Sequence, residues 1–144
     1  MNYKYPLAGD TISQNDIDML IDWLSGYPRL TMGELTKEFE KKWAKYIGTK
    51  KSIFVNSGSS ANLVAFSTLT SPKLGDRAIK PGDEVIGVAA GFPTTVNPIL
   101  QFGAVPVFVD VDLHTHNIDA TKIEAAIGPK TKAIMLAHSL GNPF

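Results

Sequence analysis

The segment from Ser52 to Asn62 reads SIFVNSGSSAN, and its character changes at Asn56. The first four residues form a short apolar run of the kind found in buried strands. Small polar residues and Gly58 follow, and residues 61–69 then predict a helix. A strand that leads through a glycine- and serine-containing turn into a helix is the first half of a strand–helix–strand unit.

The same alternation continues along the chain. Further strands are predicted at 84–88, 105–109 and 133–137, and further helices at 94–102 and 119–127. Because alternating strands and helices form right-handed crossovers, we expect an α/β fold with a mainly parallel four-stranded sheet and flanking helices. Pro98 lies within one predicted helix, and we expect it to be tolerated only near the start of that helix.

Two amphipathic helices are predicted ahead of this alternation. One follows Ser13 and the other extends to Gly48, while residues 1–10 predict an extended arm. We therefore divide the chain into residues 1–50, an N-terminal arm with two helices, and residues 51–144, an incomplete large α/β domain. Because the chain stops in a turn directly after the last predicted strand, we expect it to be the N-terminal part of a longer protein.

Composition excludes several classes of protein. The 144 residues contain 14 basic and 14 acidic side chains, and 44% of them are hydrophobic. This balance is typical of a globular protein and argues against a nucleic-acid binder or a membrane anchor that relies on a broad basic field. The chain has no cysteine, so it cannot itself form disulfides or ligate an iron–sulfur cluster. It shows neither a signal peptide nor a spanning segment, and we expect a cytoplasmic protein.

The turn after the first predicted strand carries the clearest chemistry. Gly58 would let a ligand approach the backbone, and Ser59 and Ser60 would add hydroxyl donors at a helix N-terminus, which attracts anions. These residues suit a phosphate monoester, but they would equally suit an ordinary serine cap, and local sequence leaves both interpretations open. The glycine patterns of P-loops and dinucleotide-binding folds and the hydrolase G-x-S-x-G motif are absent from the sequence.

Other candidate residues follow later strands. Phe92 lies in a predicted loop, where it would either stack on a planar heteroaromatic ring or close the end of the sheet. Asp110 and Asp112 could bind a cation, but turn capping is the commoner role of such residues. His114, His116 and His138 lack metal-ligand spacing, and a structural role is the favoured interpretation of His138.

Taken together, these segments resemble the sugar aminotransferase/dehydratase family, whose members have the aspartate aminotransferase fold (fold type I). The resemblance covers essentially the whole chain, and six markers occur in family order: residues 56–61 (NSGSSA), 81–86 (PGDEVI), 92–95 (FPTT), 103–112 (GAVPVFVDVD), 117–119 (NID) and 130–134 (KTKAI). Within the family, the chain most resembles the CDP-4-keto-6-deoxy-glucose 3-dehydratases of lipopolysaccharide biosynthesis. The stretches that favour this subgroup are 57–63, 69–78, 89–98 and 137–144.

The resemblance implies a cofactor and roles for particular residues. It implies pyridoxal 5'-phosphate (PLP) or pyridoxamine 5'-phosphate (PMP), with Gly58, Ser59 and Ser60 at the cofactor phosphate and Phe92 stacked on the pyridine ring. No residue of this chain is then catalytic, and no metal site is expected. The substrate would be a nucleotide-linked 4-keto-6-deoxy sugar, CDP-linked in this subgroup. A homodimer, a reductase partner and an iron–sulfur cluster ligated outside these residues are also implied.

Three alternatives remain beside the 3-dehydratase interpretation. A PLP-dependent sugar aminotransferase would carry a lysine where the dehydratases carry a histidine, at a family position beyond Phe144. The chain could also be a truncated product without catalysis, or an unrelated α/β nucleotide-binding module. We expect the 144 residues alone to be inactive, because the family's acid–base residue would lie outside them.

Overall fold

A computed structural model describes residues 9–144, so residues 1–8 of the predicted arm lie outside the described part. The chain divides into two compact units, one ending at Phe54 and the other beginning at Val55. No helix in the described range is long and apolar enough to cross a membrane.

The first unit contains the two predicted amphipathic helices. Helix α1 spans Gln14–Ser25 and begins with a capping box. The Ser13 hydroxyl oxygen accepts a hydrogen bond from the Asp16 N–H, and the Asp16 carboxylate accepts one from the Ser13 N–H. Helix α2 spans Glu34–Ile47 and ends at Gly48, whose φ of 74° lies in the left-handed region that glycine favours.

The predicted strand at 52–55 is wrong. These residues are extended but belong to no sheet in the described structure. They are bonded to α2 instead, because the Ser52 hydroxyl donates to the Glu40 carbonyl (2.6 Å) and the Phe54 N–H donates to the Glu40 carboxylate (2.8 Å). An apolar run identifies an extended segment, but a strand also requires a partner, and none lies within reach in residues 9–144.

The second unit is built on a three-stranded parallel sheet in the order β2-β1-β3, which confirms the predicted α/β class. Strand β1 spans Glu84–Gly87, β2 spans Val105–Phe108 and β3 spans Thr131–Ile134. Each strand is shorter than its predicted range or shifted from it. The predicted segment at 133–137 in particular leaves the ladder after Ile134, although the Met135 N–H still donates to the Ile86 carbonyl.

Helices flank this sheet on the face that Val85 occupies. Helix α3 spans Gly58–Leu69 and α4 spans Pro93–Gln101. The hydrophobic cluster there consists of residues from α3, α4, β1 and two connecting segments: Phe66, Ile99, Val85, Ile79 and Ala104. Because successive strand residues point to opposite faces, Ile86 packs on the other side, with Val109 and Ile118.

The segment 119–127 differs from the predicted single helix. Asp119 caps the segment by accepting a hydrogen bond from the Thr121 N–H, but a 3₁₀ turn at Ala120–Lys122 comes first. Only the four residues of α5, Ile123–Ala126, are α-helical. A segment this short lies near the lower limit of helix length, so its conformation follows from packing rather than from propensity.

Candidate functional site

Parallel strands bring three of the predicted site segments to one edge of the sheet. The residues that follow β1, β2 and β3 all leave from the carboxyl edge, where α/β proteins bind their ligands. Phe92 follows β1, Asp110 and Asp112 follow β2, and His138 follows β3.

A side-chain hydrogen bond joins the start of α3 to the start of α4. The Asn62 Nδ2 donates to the Thr94 carbonyl over 3.3 Å. Pro98 has no N–H and so leaves the carbonyl four residues before it, that of Thr94, without its usual helical partner. The Asn62 side chain donates to this free carbonyl instead, which explains why Pro98 is accommodated well inside α4. The expectation that Pro98 is tolerated only near the helix start is therefore wrong. The bond also holds the glycine- and serine-rich turn beside the Phe92 loop.

The first turn of α3 combines a serine cap with unpaired donors. The Ser57 hydroxyl oxygen accepts from the Ser60 N–H (3.1 Å), and the Ser60 hydroxyl donates to the Asn56 side chain (2.6 Å). Within residues 9–144, the backbone N–H groups of Gly58 and Ser59 have no acceptor. The two interpretations of this turn are therefore compatible, since Ser57 supplies the cap and two donors remain for an anion.

Gly58 leaves open space at this position. A Cβ placed on it would meet no protein atom within 4 Å, and its backbone is helical rather than left-handed. Neither backbone conformation nor neighbouring atoms therefore require a glycine here. Together with the unpaired N–H groups and the hydroxyls of Ser59 and Ser60, this gap fits a phosphate group, which accepts hydrogen bonds and carries negative charge.

A shallow cavity borders the same turn. Its volume is about 180 Å³, and it is lined by Ser59, Ser60, Leu63, Thr94, Asn97, Pro98 and Gln101. A larger groove of about 530 Å³ lies in the first unit, where lysines of α2 and of the following segment surround it. That groove contains none of the predicted site residues, so the α3 turn remains the better candidate.

Phe92 immediately precedes α4 and caps it through its backbone, since its carbonyl accepts from the Thr95 N–H (3.0 Å). Phe92 is 71% exposed within residues 9–144, so it does not pack against the end of the sheet in that part of the chain. An exposed ring on a loop fixed by Pro93 is free to stack on a flat ligand.

The remaining candidates have local roles. The Asp112 carboxylate accepts hydrogen bonds from the His114 N–H (3.0 Å) and the Thr115 N–H (2.8 Å). The bond from Thr115 is the main cause of its lowered pKa. The His138 Nδ1 accepts from the Phe144 N–H (3.3 Å), and the two rings lie 4.5 Å apart. In the described range, no three His, Asp or Glu side chains come together as metal ligands.

Two asparagines were missed by the sequence analysis. Asn62 joins α3 to α4, and Asn117 is a buried polar residue, with 2% of its surface exposed. Both fall inside stretches already used for the family resemblance. For Asn62 the available signal was an amide side chain between small and apolar residues next to the candidate turn, whereas the sequence around Asn117 gave none.

The parallel sheet, the helices on its Val85 face and the open N-terminus of α3 define an α/β domain with a candidate anion-binding turn. The chain belongs to the DegT/DnrJ/EryC1/StrS aminotransferase family, whose sequence profile matches residues 10–144. This finding confirms the family resemblance and the predicted fold.

Two relatives and one solved structure illustrate the similarity. The lipopolysaccharide biosynthesis protein RfbH of Salmonella typhimurium is 56% identical over 140 residues, which are 96% of this chain and 32% of that protein. The dTDP-4-dehydro-2,6-dideoxy-D-glucose 3-dehydratase of Saccharopolyspora spinosa is 57% identical over 116 residues, 81% of this chain and 25% of that enzyme. The E. coli GDP-4-keto-6-deoxy-D-mannose-3-dehydratase with bound hydrated PLP superimposes with a TM-score of 0.80 at 38% identity, covering 91% of this chain and 33% of that one. The chain therefore spans about a third or less of the length of the proteins it matches.

Proposed function

We propose that this chain is the N-terminal part of a PMP-dependent nucleotide-sugar 3-dehydratase, which removes the C3 hydroxyl of a 4-keto-6-deoxy sugar in lipopolysaccharide 3,6-dideoxyhexose synthesis. The observation that carries the proposal is the open turn at Gly58–Ser60, joined by Asn62 to the loop of the exposed Phe92. The similarity to two 3-dehydratases supports the reaction class, and the similarity to RfbH supports a place in lipopolysaccharide biosynthesis.

Gly58, Ser59 and Ser60 would hold the cofactor phosphate. The N–H groups of Gly58 and Ser59 would donate to its oxygens, the positive end of α3 would favour its charge, and the Ser59 hydroxyl would add a donor. The Ser60 hydroxyl already donates to the Asn56 side chain. It would either hold the turn in shape through that bond or donate to the phosphate in place of Asn56.

Phe92 would lie against the cofactor ring and set its orientation relative to the phosphate. When bound, PMP supplies an electron sink that lets the C3–O bond beside the keto carbon break. The four residues assigned here bind and orient, and none of them has a side chain suited to proton transfer at neutral pH. The acid–base group is proposed to lie at the family's histidine position beyond Phe144.

The test uses the whole gene product. Titration with PMP and PLP, followed by absorbance, measures cofactor binding. The protein is then incubated with a CDP-linked 4-keto-6-deoxy sugar, with and without an electron donor, and the products are analysed by mass spectrometry. Loss of the C3 oxygen supports the proposal, and an unchanged sugar with PMP bound contradicts it.

A sugar aminotransferase is the second candidate, and the family to which the chain belongs favours it. The same incubation with PLP and L-glutamate separates the two, because an aminotransferase replaces the C4 keto oxygen with an amino group. A product that gains nitrogen and keeps its C3 hydroxyl would select this alternative.

We also propose the finer properties that the resemblance implies: a CDP-linked substrate, a cytoplasmic homodimer, a reductase partner and an iron–sulfur cluster whose ligands lie outside these cysteine-free residues. The division into residues 1–50 and 51–144, with the second part belonging to the large domain, is likewise proposed. Size-exclusion chromatography, iron and sulfide analysis and co-purification with the reductase would test these properties one by one.

A further inference from the structure

A buried side-chain amide joins two loops at the carboxyl edge of the sheet. Asn117, which is 2% exposed, follows β2, and its Oδ1 accepts a hydrogen bond from the Ser139 N–H over 2.7 Å. Its Nδ2 donates to the Asn142 carbonyl (2.8 Å) and to the Thr115 carbonyl (3.3 Å). Ser139 and Asn142 belong to the loop after β3, whereas Thr115 belongs to the same loop as Asn117.

These three bonds use one acceptor and both donors of the amide. Their partners fix its orientation, because the Ser139 N–H can only donate and the two carbonyls can only accept. Exchanging the oxygen and nitrogen would place donor against donor and acceptor against acceptor. The amide is therefore specific for this position, and neither a hydrocarbon nor a carboxylate of the same shape can replace it.

The bonds to Ser139 and Asn142 enclose a strained turn. Leu140 has a φ of 56°, in the left-handed region that a leucine rarely adopts, and Gly141 follows at 77°. The Leu140 side chain is 78% exposed, so packing does not hold it in this conformation. Besides Asn117, the turn is held by the Asn142 N–H, which donates to the Ser139 carbonyl (3.0 Å).

We infer that Asn117 is a positioning residue, whose amide holds the His138–Asn142 loop in its strained conformation at the edge of the sheet where the cofactor binds. The last part of this inference rests on the proposed function. The strained turn persists because hydrogen bonds from a neighbouring loop enclose it, and such strain is typical of segments shaped for a ligand. A change at Asn117 would therefore act on cofactor binding through the loop, without direct contact.

The test compares Asn117→Asp with Ser139→Ala in the whole gene product. An aspartate keeps the shape and still accepts from the Ser139 N–H, but it cannot donate to the two carbonyls. Ser139→Ala is the matched control, because Ser139 contributes only its backbone to the Asn117 bonds. Hydrogen exchange of the 138–142 amides is the first readout, and PMP affinity is the second.

For Asn117→Asp we expect loop exchange to accelerate about 10- to 30-fold, as the loss of two hydrogen bonds predicts. Exchange at Val85 and Ile86 in β1 should stay unchanged. The affinity for PMP should fall at least about tenfold, because a similar amount of loop order is lost. Ser139→Ala should match the wild-type protein in loop exchange and in PMP affinity. Adding Leu140→Gly to Asn117→Asp should restore part of both properties, because glycine adopts the left-handed conformation readily.

Equal acceleration in the loop and in β1 would show a merely structural role and overturn the inference. Faster loop exchange with unchanged PMP affinity would overturn the positioning role.

If Asn117→Asp does not fold, a measurement on the wild-type protein tests the inference instead. The Asn117 side-chain amide protons should exchange at least about tenfold more slowly than those of the exposed Asn97. Equal rates would overturn the inference. If wild type binds no PMP, the proposed function and the cofactor part of the inference both fail, while the exchange pattern alone still decides whether Asn117 holds the loop.

Discussion

Replacing Gly58 by alanine should separate cofactor binding from folding. A Cβ at this position meets no atom of the chain within 4 Å, and the helical backbone accepts an L-residue. The folded protein should therefore tolerate the change. Because alanine restricts the unfolded chain and favours helix, the free energy of unfolding should stay level or rise by up to about 1 kcal/mol.

The affinity for the cofactor should fall. The new methyl group occupies the open space beside the unpaired N–H groups of Gly58 and Ser59, where the phosphate is proposed to lie. If it keeps the phosphate from one of these donors, one hydrogen bond to a charged group is lost, which costs about 1.5–3 kcal/mol. Each 1.4 kcal/mol is a factor of ten, so the dissociation constant of PMP should rise roughly 10- to 150-fold.

The assay is a PMP titration followed by fluorescence or absorbance, together with urea unfolding of the cofactor-free protein. Gly9→Ala is the matched control, because Gly9 also has no atom within 4 Å of a built Cβ and lies outside the candidate site. An unchanged dissociation constant in Gly58→Ala would refute the phosphate assignment. A large loss of stability would refute the reasoning that no protein contact requires a glycine here.

Four further predictions address the site and the fold. Phe92→Ala should weaken PMP binding about 2- to 12-fold through lost stacking, with Phe92→Tyr near wild type and stability unchanged since the ring is exposed; an unaltered dissociation constant would leave Phe92 without a cofactor role. Ser59→Ala with Ser60→Ala should also weaken PMP binding, by about 1.5–3 kcal/mol for each lost bond, and full retention of affinity would remove both serines from the site. Phe66→Ala should lower the free energy of unfolding by about 3–5 kcal/mol, because Phe66 is 1% exposed and its ring centroid lies 5.6 Å from that of Phe102. Leu63 is partly exposed, so Leu63→Ala should lower the free energy of unfolding clearly less, and equal losses would contradict the core assignment. The pKa of Asp112 is lowered mainly by the bond from Thr115, so its stabilisation is present above the usual aspartate range and is lost as the pH falls below about 4; Asp112→Asn should flatten that acid limb in pH-dependent unfolding, and an unchanged limb would exclude Asp112 as a contributor.

The fold class and the candidate turn could be predicted from sequence because both depend on local signals. Alternating apolar runs and helical periodicity identify a parallel α/β unit, and a glycine among serines after such a run marks a turn that can receive an anion. Helix ends were also predictable, as with the capping box at Ser13 and the left-handed Gly48. Each of these features is decided within a few residues.

Features that depend on a distant partner could not be predicted. The apolar run at 52–55 looks like a strand, but strand formation is decided by what pairs with it, and α2 supplies its hydrogen bonds in the described structure. Asn117 was missed for the same reason, since its partners Ser139 and Asn142 lie more than twenty residues further on. No periodic pattern marks a single buried amide.

The two missed asparagines explain how short loops can keep a defined shape before a ligand is present. Asn62 satisfies the carbonyl that Pro98 leaves free and thereby fixes the starts of α3 and α4 side by side. Asn117 does the same for the loops after β2 and β3. Because each amide supplies hydrogen bonds that regular structure cannot, side chains add to the backbone hydrogen bonds that order this edge of the sheet, such as those of the Val111–Ile118 bridge. A ligand that binds at such a preformed edge would cost less conformational entropy than one that must order a disordered loop, which would favour affinity without further direct contacts.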